Sequence, residues 1–481
     1  MASVYLGIDL GTSGVKAAVV DDRGAVLAQA SAPLCVSRPQ TSWSEQNPED
    51  WWSAAEAAVL ALPVELRAPV RGIGLAGQMH GATLLGEDDR PLRAAILWND
   101  GRSFAQCAEL EAAEPASRAI TGNLAMPGFT APKLAWIRQN EPQVFDRVRS
   151  VLLPKDYLRF RMTGDKASDL SDSAGTLWLD CARRDWSDLM LAATGLDRSH
   201  MPRLHEGSEI TGRLRPEVAR RWGIGQVPVA AGAGDNAAAA AGVGVIADGD
   251  ALLSLGTSGV IFVATGSFRP NPDRAVHAFC HCLPGMWHQM SVHLSAASCI
   301  DWAARLIGND VPQFFALAEQ AGPGAGPELF LPYLSGERTP HNDPHARGAF
   351  LGLDNDSDPA RLAAAVLEGV AFAHADGLAA LREAGTHVEC LSMIGGGARS
   401  RHWGTIIAAA LGVRLEYFAG GEVGPALGAA KLALMAVTGA SAAEACQRPQ
   451  VSHAIEPDPE LADRLAPKLD RFRAAFASAR A

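Results

Sequence analysis

The six residues LGTSGV occur twice, at 10–15 and again at 255–260. In both places an apolar run leads into the turn and another leaves it. What repeats is therefore strand, turn and strand, and not merely six letters. Around the first copy, runs 4–9, 15–20 and 25–30 are separated by turn residues at 11–14 and 21–24, which reads as a three-stranded meander. Around the second, runs 251–255 and 260–265 flank the turn. Self-similarity of this kind points to an internal duplication, each half opening on the same hairpin. At 481 residues the chain is also too long for one ordinary core. Two domains follow, 1–247 and 248–481, divided just before the second hairpin.

The rest of the chain alternates. Runs 70–77 (VRGIGLAG), 227–233 (VPVAAGA) and 390–394 read as buried strands. Segment 50–61 reads as an amphipathic helix with Trp51 and Trp52 near its start. Segment 361–378 reads as a long helix with Leu362, Val366 and Val370 on one side, and 400–411 and 457–481 as further helices. Strands alternating with helices mean an α/β architecture. The formal net charge of −11 argues against a nucleic-acid-binding surface. No run reads as long and apolar enough to cross a bilayer. The start, MASVYLGIDLGTSG, has no basic lead and no apolar targeting core, and eight scattered cysteines suit a reducing compartment, so the expectation is a cytoplasmic protein.

A Gly-Thr-Ser-Gly turn offers backbone N–H groups and two hydroxyls where no bulky side chain blocks an approaching anion. Gly11, Thr12 and Ser13 in one half, with Gly256 and Thr257 in the other, are thus candidates to grip a polyphosphate from two sides. The copies differ beside the turn. Asp9 precedes the first and Ser254 the second; Lys16 follows the first and Ile261 the second. A carboxylate next to a phosphate turn calls for a cation, so Asp9 is a candidate to hold Mg²⁺ through water. Lys16 is a candidate to neutralise phosphate oxygens. Asp235, in AGAGDNAAAAAG, follows a strand and a glycine turn and opens a helix. The helix dipole should keep it ionised and weakly basic. Gly395–Gly397 form another glycine turn between strand and helix. Cys280, His281 and Cys282, with His277 and His288 nearby, resemble metal ligands only superficially, and buried thiols on a strand are the better reading.

DLGTSGVK, the second hairpin turn and IGGGAR (394–399) together resemble the actin-like ATPase superfamily, and within it the FGGY family of carbohydrate kinases. GFTAPKLAWIRQN (128–140) fits that family's first signature throughout. The second begins near GAFLGL (348–353) and departs at Arg361, where an acid, amide or histidine is usual. WSEQ (43–46), GQMHGATLL (77–85), ILWNDGR (96–102), LLPKDYLR (152–159), GDNAAA (234–239) and YLSGERTPH (333–341) are similar to the bacterial members that act on D-xylulose. The resemblance implies two actin-like (ribonuclease H-like) domains with the active site in the cleft between them. It implies ATP and Mg²⁺, with sugar and metal on the first domain and adenosine on the second. Asp235 would be the general base, and Asp9 and Asp235 the catalytic and metal-holding carboxylates. Met79, His80, Trp98, Asn99, Asp100 and Asn236 would contact the sugar. Gly11, Thr12, Ser13, Lys16, Gly256, Thr257, Gly396, Gly397 and Ser400 would hold the nucleotide. A homodimer is the family expectation, with no nucleic-acid or membrane partner. Two alternatives stay open at this level: a kinase of another sugar, and an ATP-gated interaction module.

Overall fold

The computed structural model describes residues 3–418 and 424–479. It contains two seven-stranded mixed sheets. The first is built from β1 (Val4–Leu10), β2 (Gly14–Asp21), β3 (Val26–Pro33), β4 (Val70–Gly77), β5 (Ile210–Arg213), β6 (Pro228–Ala230) and β7 (Ala233–Gly234). Its order is β5-β6-β4-β1-β2-β3, and β7 also pairs with β4. The second holds β8 (Ala251–Leu255), β9 (Gly259–Thr265), β10 (His277–Cys280), β11 (Trp287–His293), β12 (Cys390–Ile394), β13 (Arg414–Phe418) and β14 (Val451–Ile455), in the order β10-β11-β9-β8-β12-β13-β14.

The duplication read from the sequence is present in the topology. The opening strand of each half pairs antiparallel with its hairpin partner, β1 with β2 and β8 with β9. It pairs parallel on its other side, β1 with β4 and β8 with β12. Beyond the hairpins, β3 and β11 continue each sheet antiparallel, and β10 extends the second sheet by one more strand. The run 227–233 is the exception to the expected strands. It breaks into β6 and β7 because Gly232 takes φ +86°, and a Cβ there would fall 2.1 Å from the Leu75 carbonyl oxygen. The two pieces pair with different stretches of β4.

The two halves share a core. The helix Pro425–Thr438, from the second half, lies across β1 and β4 of the first. Glycines at the contact bring backbone against backbone. A Cβ on Gly7 or Gly74 would lie 1.8 Å from the carbonyl oxygen of Ala426 or Ala429, and one on Gly428 would lie 1.8 Å from that of Ala238. Ala238 belongs to the helix Asp235–Gly242, so the partner half's helix braces the one that opens on Asp235.

The helix expected over 361–378 runs from Pro359 to Glu383, capped by Asp358, whose carboxylate accepts from the Arg361 N–H at 2.9 Å. Arg361, the departure from the second signature, lies 3.0 Å from Glu328 and 3.4 Å from Asp354, so the cation there closes a structural ion-pair set. Contrary to the sequence expectation, this helix is long and apolar enough by composition to cross a membrane. It is instead the central helix of the second core, with Leu367, Val370 and Leu378 fully enclosed. The helix expected over 457–481 spans Pro459–Ala479, and 480–481 lie outside the described residues.

Candidate active site

Sheet register assembles the site. β4 is parallel to β1, and β7 is parallel to β4, so three strands end at the same edge. Asp9, Ala76 and Ala233 form one row across them, and Leu10, Gly77 and Gly234 the next. Asp235 follows that second row by one residue. Two strand spacings therefore separate the Asp9 and Asp235 backbones, roughly 10 Å, close enough for their side chains to converge. Burial, with the Asp235 charge added, pushes the Asp9 carboxyl up to about 7, against the pull of Lys16, its neighbour across the hairpin. Asp9 Oδ1 is buried without a hydrogen-bond partner. Two converging carboxylates and an orphaned oxygen fit a divalent cation held by them through water. No group of three or more ligating side chains exists among the described residues, so protein ligands alone would not close the coordination sphere.

Asp235 opens its helix, as expected. Its Oδ1 accepts from the Asn236 backbone N–H (2.8 Å) and from Asn236 Nδ2 (3.0 Å), which fixes the carboxylate plane. The expectation of a weakly basic carboxylate is corrected. Burial pushes Asp235 up to about 6, and the hydrogen bonds from Asn236 offset only part of that. Loss of water outweighs the helix terminus here, which gives the group a better match to base catalysis near neutral pH.

Asp235 and Asn236 line a cleft of about 690 Å³ together with Lys16 from the first hairpin, Ser254 from β8, and Gly395 and Gly396 from the loop after β12. The three glycines differ. A Cβ on Gly396 would meet nothing within 4 Å, so this residue faces open space. On Gly397 it would strike Leu255 and Trp403, and Gly395 needs φ +89° beside the Leu255 carbonyl. Ser400 is occupied as the N-cap of the Arg401–Leu411 helix, its Oγ accepting from Trp403 N. Arg401, Tyr417, Phe418 and His453 also line the cleft and were missed by the sequence reading. Only Arg401, just past the glycine loop, carried a local signal.

The two LGTSGV turns are not the same turn. In the first, Leu10 pairs with Val15 and the Gly11 N–H donates to the Gly14 carbonyl. In the second, Leu255 pairs with Gly259 and the Gly256 N–H donates to the Ser258 carbonyl, one residue tighter. The Thr12 hydroxyl donates to Gln78 Oε1 (3.0 Å) and accepts from Trp98 Nε1 (2.9 Å). Gln46 Nε2 donates to the Thr12 carbonyl (2.8 Å), and Gln78 Nε2 to Gln46 Oε1 (2.9 Å). The first turn is thus held by an amide network that the sequence reading did not foresee, with Ser13 exposed at its tip. In the second, the carbonyls of Gly256 and Thr257 accept from the Ala297 and Ala296 N–H groups, both at 2.9 Å.

The expected sugar contacts separate into two sets. Met79 and His80 lie behind Asp235: a Cβ on Gly234 would sit 2.9 Å from Met79 Sδ, and one on Gly175 2.5 Å from His80 Cε1. His80 takes φ +69°, and its Nδ1 lies 2.7 Å from the Gly175 carbonyl. A carbonyl only accepts, so Nδ1 carries the proton and Nε2 is left as an acceptor. Burial pushes the ring well below the usual histidine range, keeping it neutral. Trp98, Asn99 and Asp100 instead line a second cavity, of about 550 Å³, with Phe104, Leu294 and Arg338. Asp100 is already engaged within the protein. Its oxygens accept from Ser44 N (2.6 Å) and from Arg102 Nε and Nη2 (2.9 and 2.7 Å). Cys280 and Cys282 are both buried, but only Cys280 lies on a strand, β10 ending there. His288 stacks on Phe262 with ring centroids 4.3 Å apart, and His277 on Phe279 at 5.5 Å.

Two sheets that each open on a hairpin, with one carboxylate lining a nucleotide-sized cleft and a second at the neighbouring strand end, fit a phosphoryl-transferring α/β enzyme of two related domains. The comparisons narrow this. Residues 4–242 match the N-terminal domain of the FGGY family of carbohydrate kinases and residues 251–437 its C-terminal domain. The chain belongs to the FGGY family of carbohydrate kinases. It is 57% identical over 435 residues to a xylulose kinase of Escherichia coli, covering 90% of each chain. It is 53% identical over 476 residues to a xylulose kinase of Klebsiella pneumoniae, covering 98% of each. A solved xylulose kinase from Brucella ovis superposes with a TM-score of 0.96 at 50% identity, covering 99% of both chains.

Proposed function

We propose that this chain transfers the γ-phosphoryl group of ATP to D-xylulose, giving ADP and D-xylulose 5-phosphate. The observation that supports the reading is the register of parallel strand ends that brings Asp9 near Asp235, which itself lines a cleft with Lys16, Ser254 and Gly396. Identity above 50% to two xylulose kinases supports the sugar. Asp235 accepts the proton of the 5-hydroxyl while that oxygen bonds to the γ-phosphorus and the bond from phosphorus to the β–γ bridging oxygen breaks. A base so placed contributes roughly 10²–10⁴-fold, and alignment and charge neutralisation contribute the rest. Lys16 neutralises phosphate oxygens. Asp9, with Asp235, would hold Mg²⁺, which would supply further neutralisation of the phosphates. His80 Nε2 accepts from a sugar hydroxyl, and Gly396 leaves room for the adenosine. The first half, to about residue 247, carries sugar and metal and the second carries the nucleoside. A cytoplasmic homodimer completes the proposal.

The test is ADP release with MgATP against D-xylulose, D-ribulose, L-ribulose, L-xylulose, glycerol and gluconate. Strong preference for D-xylulose is expected. Preference for another sugar would keep the site and replace the substrate. Release indifferent to every sugar would favour an ATP-gated module. Asp235→Ala should abolish sugar phosphorylation and leave ATP binding intact, and near-normal turnover in that variant would remove the base assignment.

A further inference from the structure

A buried polar cluster sits behind the site and takes no part in the chemistry above. Lys155 Nζ lies 2.6 Å from Asp156 Oδ1, 2.7 Å from Asp169 Oδ1 and 3.3 Å from Asp172 Oδ2, and all four side chains are wholly enclosed. Such a group is expensive to bury and gains little as a stability device. Its geometry leads to the active site. Asp169 caps the short helix Leu170–Ala174: its Oδ2 accepts from the Ser171 N–H at 2.7 Å and from the Ser171 hydroxyl. With its proton committed to Asp169, Ser171 Oγ faces outward as an acceptor, and it takes the Gly234 N–H at 3.1 Å. Gly234 is the residue before Asp235. At the other end of the same helix, the Gly175 carbonyl accepts from His80 Nδ1 at 2.7 Å. One five-residue helix therefore touches both the loop that carries the base and the histidine behind it.

We infer that Ser171, oriented by Asp169 and Lys155, is a positioning residue for Asp235, and that the Leu170–Ala174 helix sets the spacing between Asp235 and His80. The inference rests on the reading of Asp235 as the base. Without the Ser171 hydroxyl the Gly234 N–H loses its partner and the turn into Asp235 relaxes. Small misplacements of a reacting group cost up to about 10²-fold in rate.

The experiment uses the full chain with Ser171→Ala, Asp169→Asn and Asp235→Asn. For Ser171→Ala, kcat for sugar phosphorylation should fall about 10- to 100-fold. KM for ATP and the slow sugar-independent hydrolysis of ATP should stay within about two-fold, because Lys16, the first turn and the nucleoside side of the cleft are untouched. Loss of fold would lower sugar turnover and sugar-free hydrolysis together, so the split separates positioning from structure. Asp169→Asn keeps the volume and should reproduce the split more weakly, Ser171 keeping a poorer acceptor. If it fails to fold, Ser171→Ala alone decides. Wild-type kcat in Ser171→Ala, or parallel loss of sugar turnover and sugar-free hydrolysis, overturns the inference. If Asp235→Asn retains turnover, the base reading falls and this inference with it. If Asp235→Asn is inactive while Ser171→Ala turns over normally, only the positioning role falls.

Discussion

The same six residues build two different turns. Leu10–Val15 closes over a four-residue loop and Leu255–Gly259 over a three-residue one. The six residues themselves cannot be the cause, since they are identical in the two copies. The neighbours decide. The first turn is gripped through Thr12 by Gln46, Gln78 and Trp98. The second is pinned through its carbonyls by Ala296 and Ala297, and at Gly259 by His374, whose ring a Cβ there would strike at 2.3 Å. The flanking strands then divide the labour. Only the first copy carries the Asp9–Lys16 pair, while the second has Ser254 opposite Val260. The duplication supplied two frames, and only the first carries a charged pair beside its turn.

The largest way to break this comparison is to exchange its charges. Asp9→Asn should lower kcat by about 10²-fold or more, the scale of a lost electrostatic group in a transfer step. Ser254→Ala, at the matching place, should stay within a few-fold. Steady-state kinetics on both variants checks the asymmetry, and equal losses would mean the halves share the chemistry. The next contrast is between glycines. Gly428→Ala forces a methyl into the Ala238 backbone where the halves meet. It should cost about 1–3 kcal/mol or more by overpacking. Gly396→Ala meets nothing within 4 Å and should leave the melting temperature alone while raising KM for ATP. Thermal denaturation beside ATP kinetics reads both.

Thr12→Val sharpens the comparison of turns. It strips the partners of Gln78 Oε1 and Trp98 Nε1 and should destabilise by about 1–3 kcal/mol. Thr257→Val, whose side chain is exposed, should change stability by no more than about 0.5 kcal/mol. Urea unfolding of the pair would show it. The smallest expected effect concerns acid. Burial holds His277 down at about 3 and His281 at about 4, so both stay neutral in the fold and would charge near 6.5 once unfolded. The unfolded chain then binds more protons between these values. Stability from this source is full above pH 6.5 and is lost as pH falls toward 4, by about 1.4 kcal/mol per pH unit for each histidine. His281→Gln should flatten the fall in melting temperature between pH 6.5 and 5, and an unchanged slope would remove the explanation.

Strands with strong local patterns were legible to the residue: 70–77, 251–255 and 390–394 all stand as read. The run 227–233 was not, because its break comes from the close approach of Gly232 to Leu75, a contact between strands far apart in sequence. Asp9, Lys16 and Asp235 could be singled out from their places beside turns, and Asn236 and Gly396 through the resemblance to the family. Ser171 and Gly175 could not, since a serine and a glycine in LSDSAG carry no mark until the chain folds Gly234 and His80 against them. At Asp100 the sequence showed a polar residue after a strand but not its pairing with Arg102, which only the fold reveals.

By itself the sequence determined the duplication, the α/β alternation and which residue types stand at the strand ends, because these depend on patterns within a few residues of one another. Tertiary structure decided the register of each turn, the upward shift of the Asp235 carboxyl and the bracing of its helix by a helix of the other half. Those depend on burial and on partners distant in the chain, and neither is written at the position it controls.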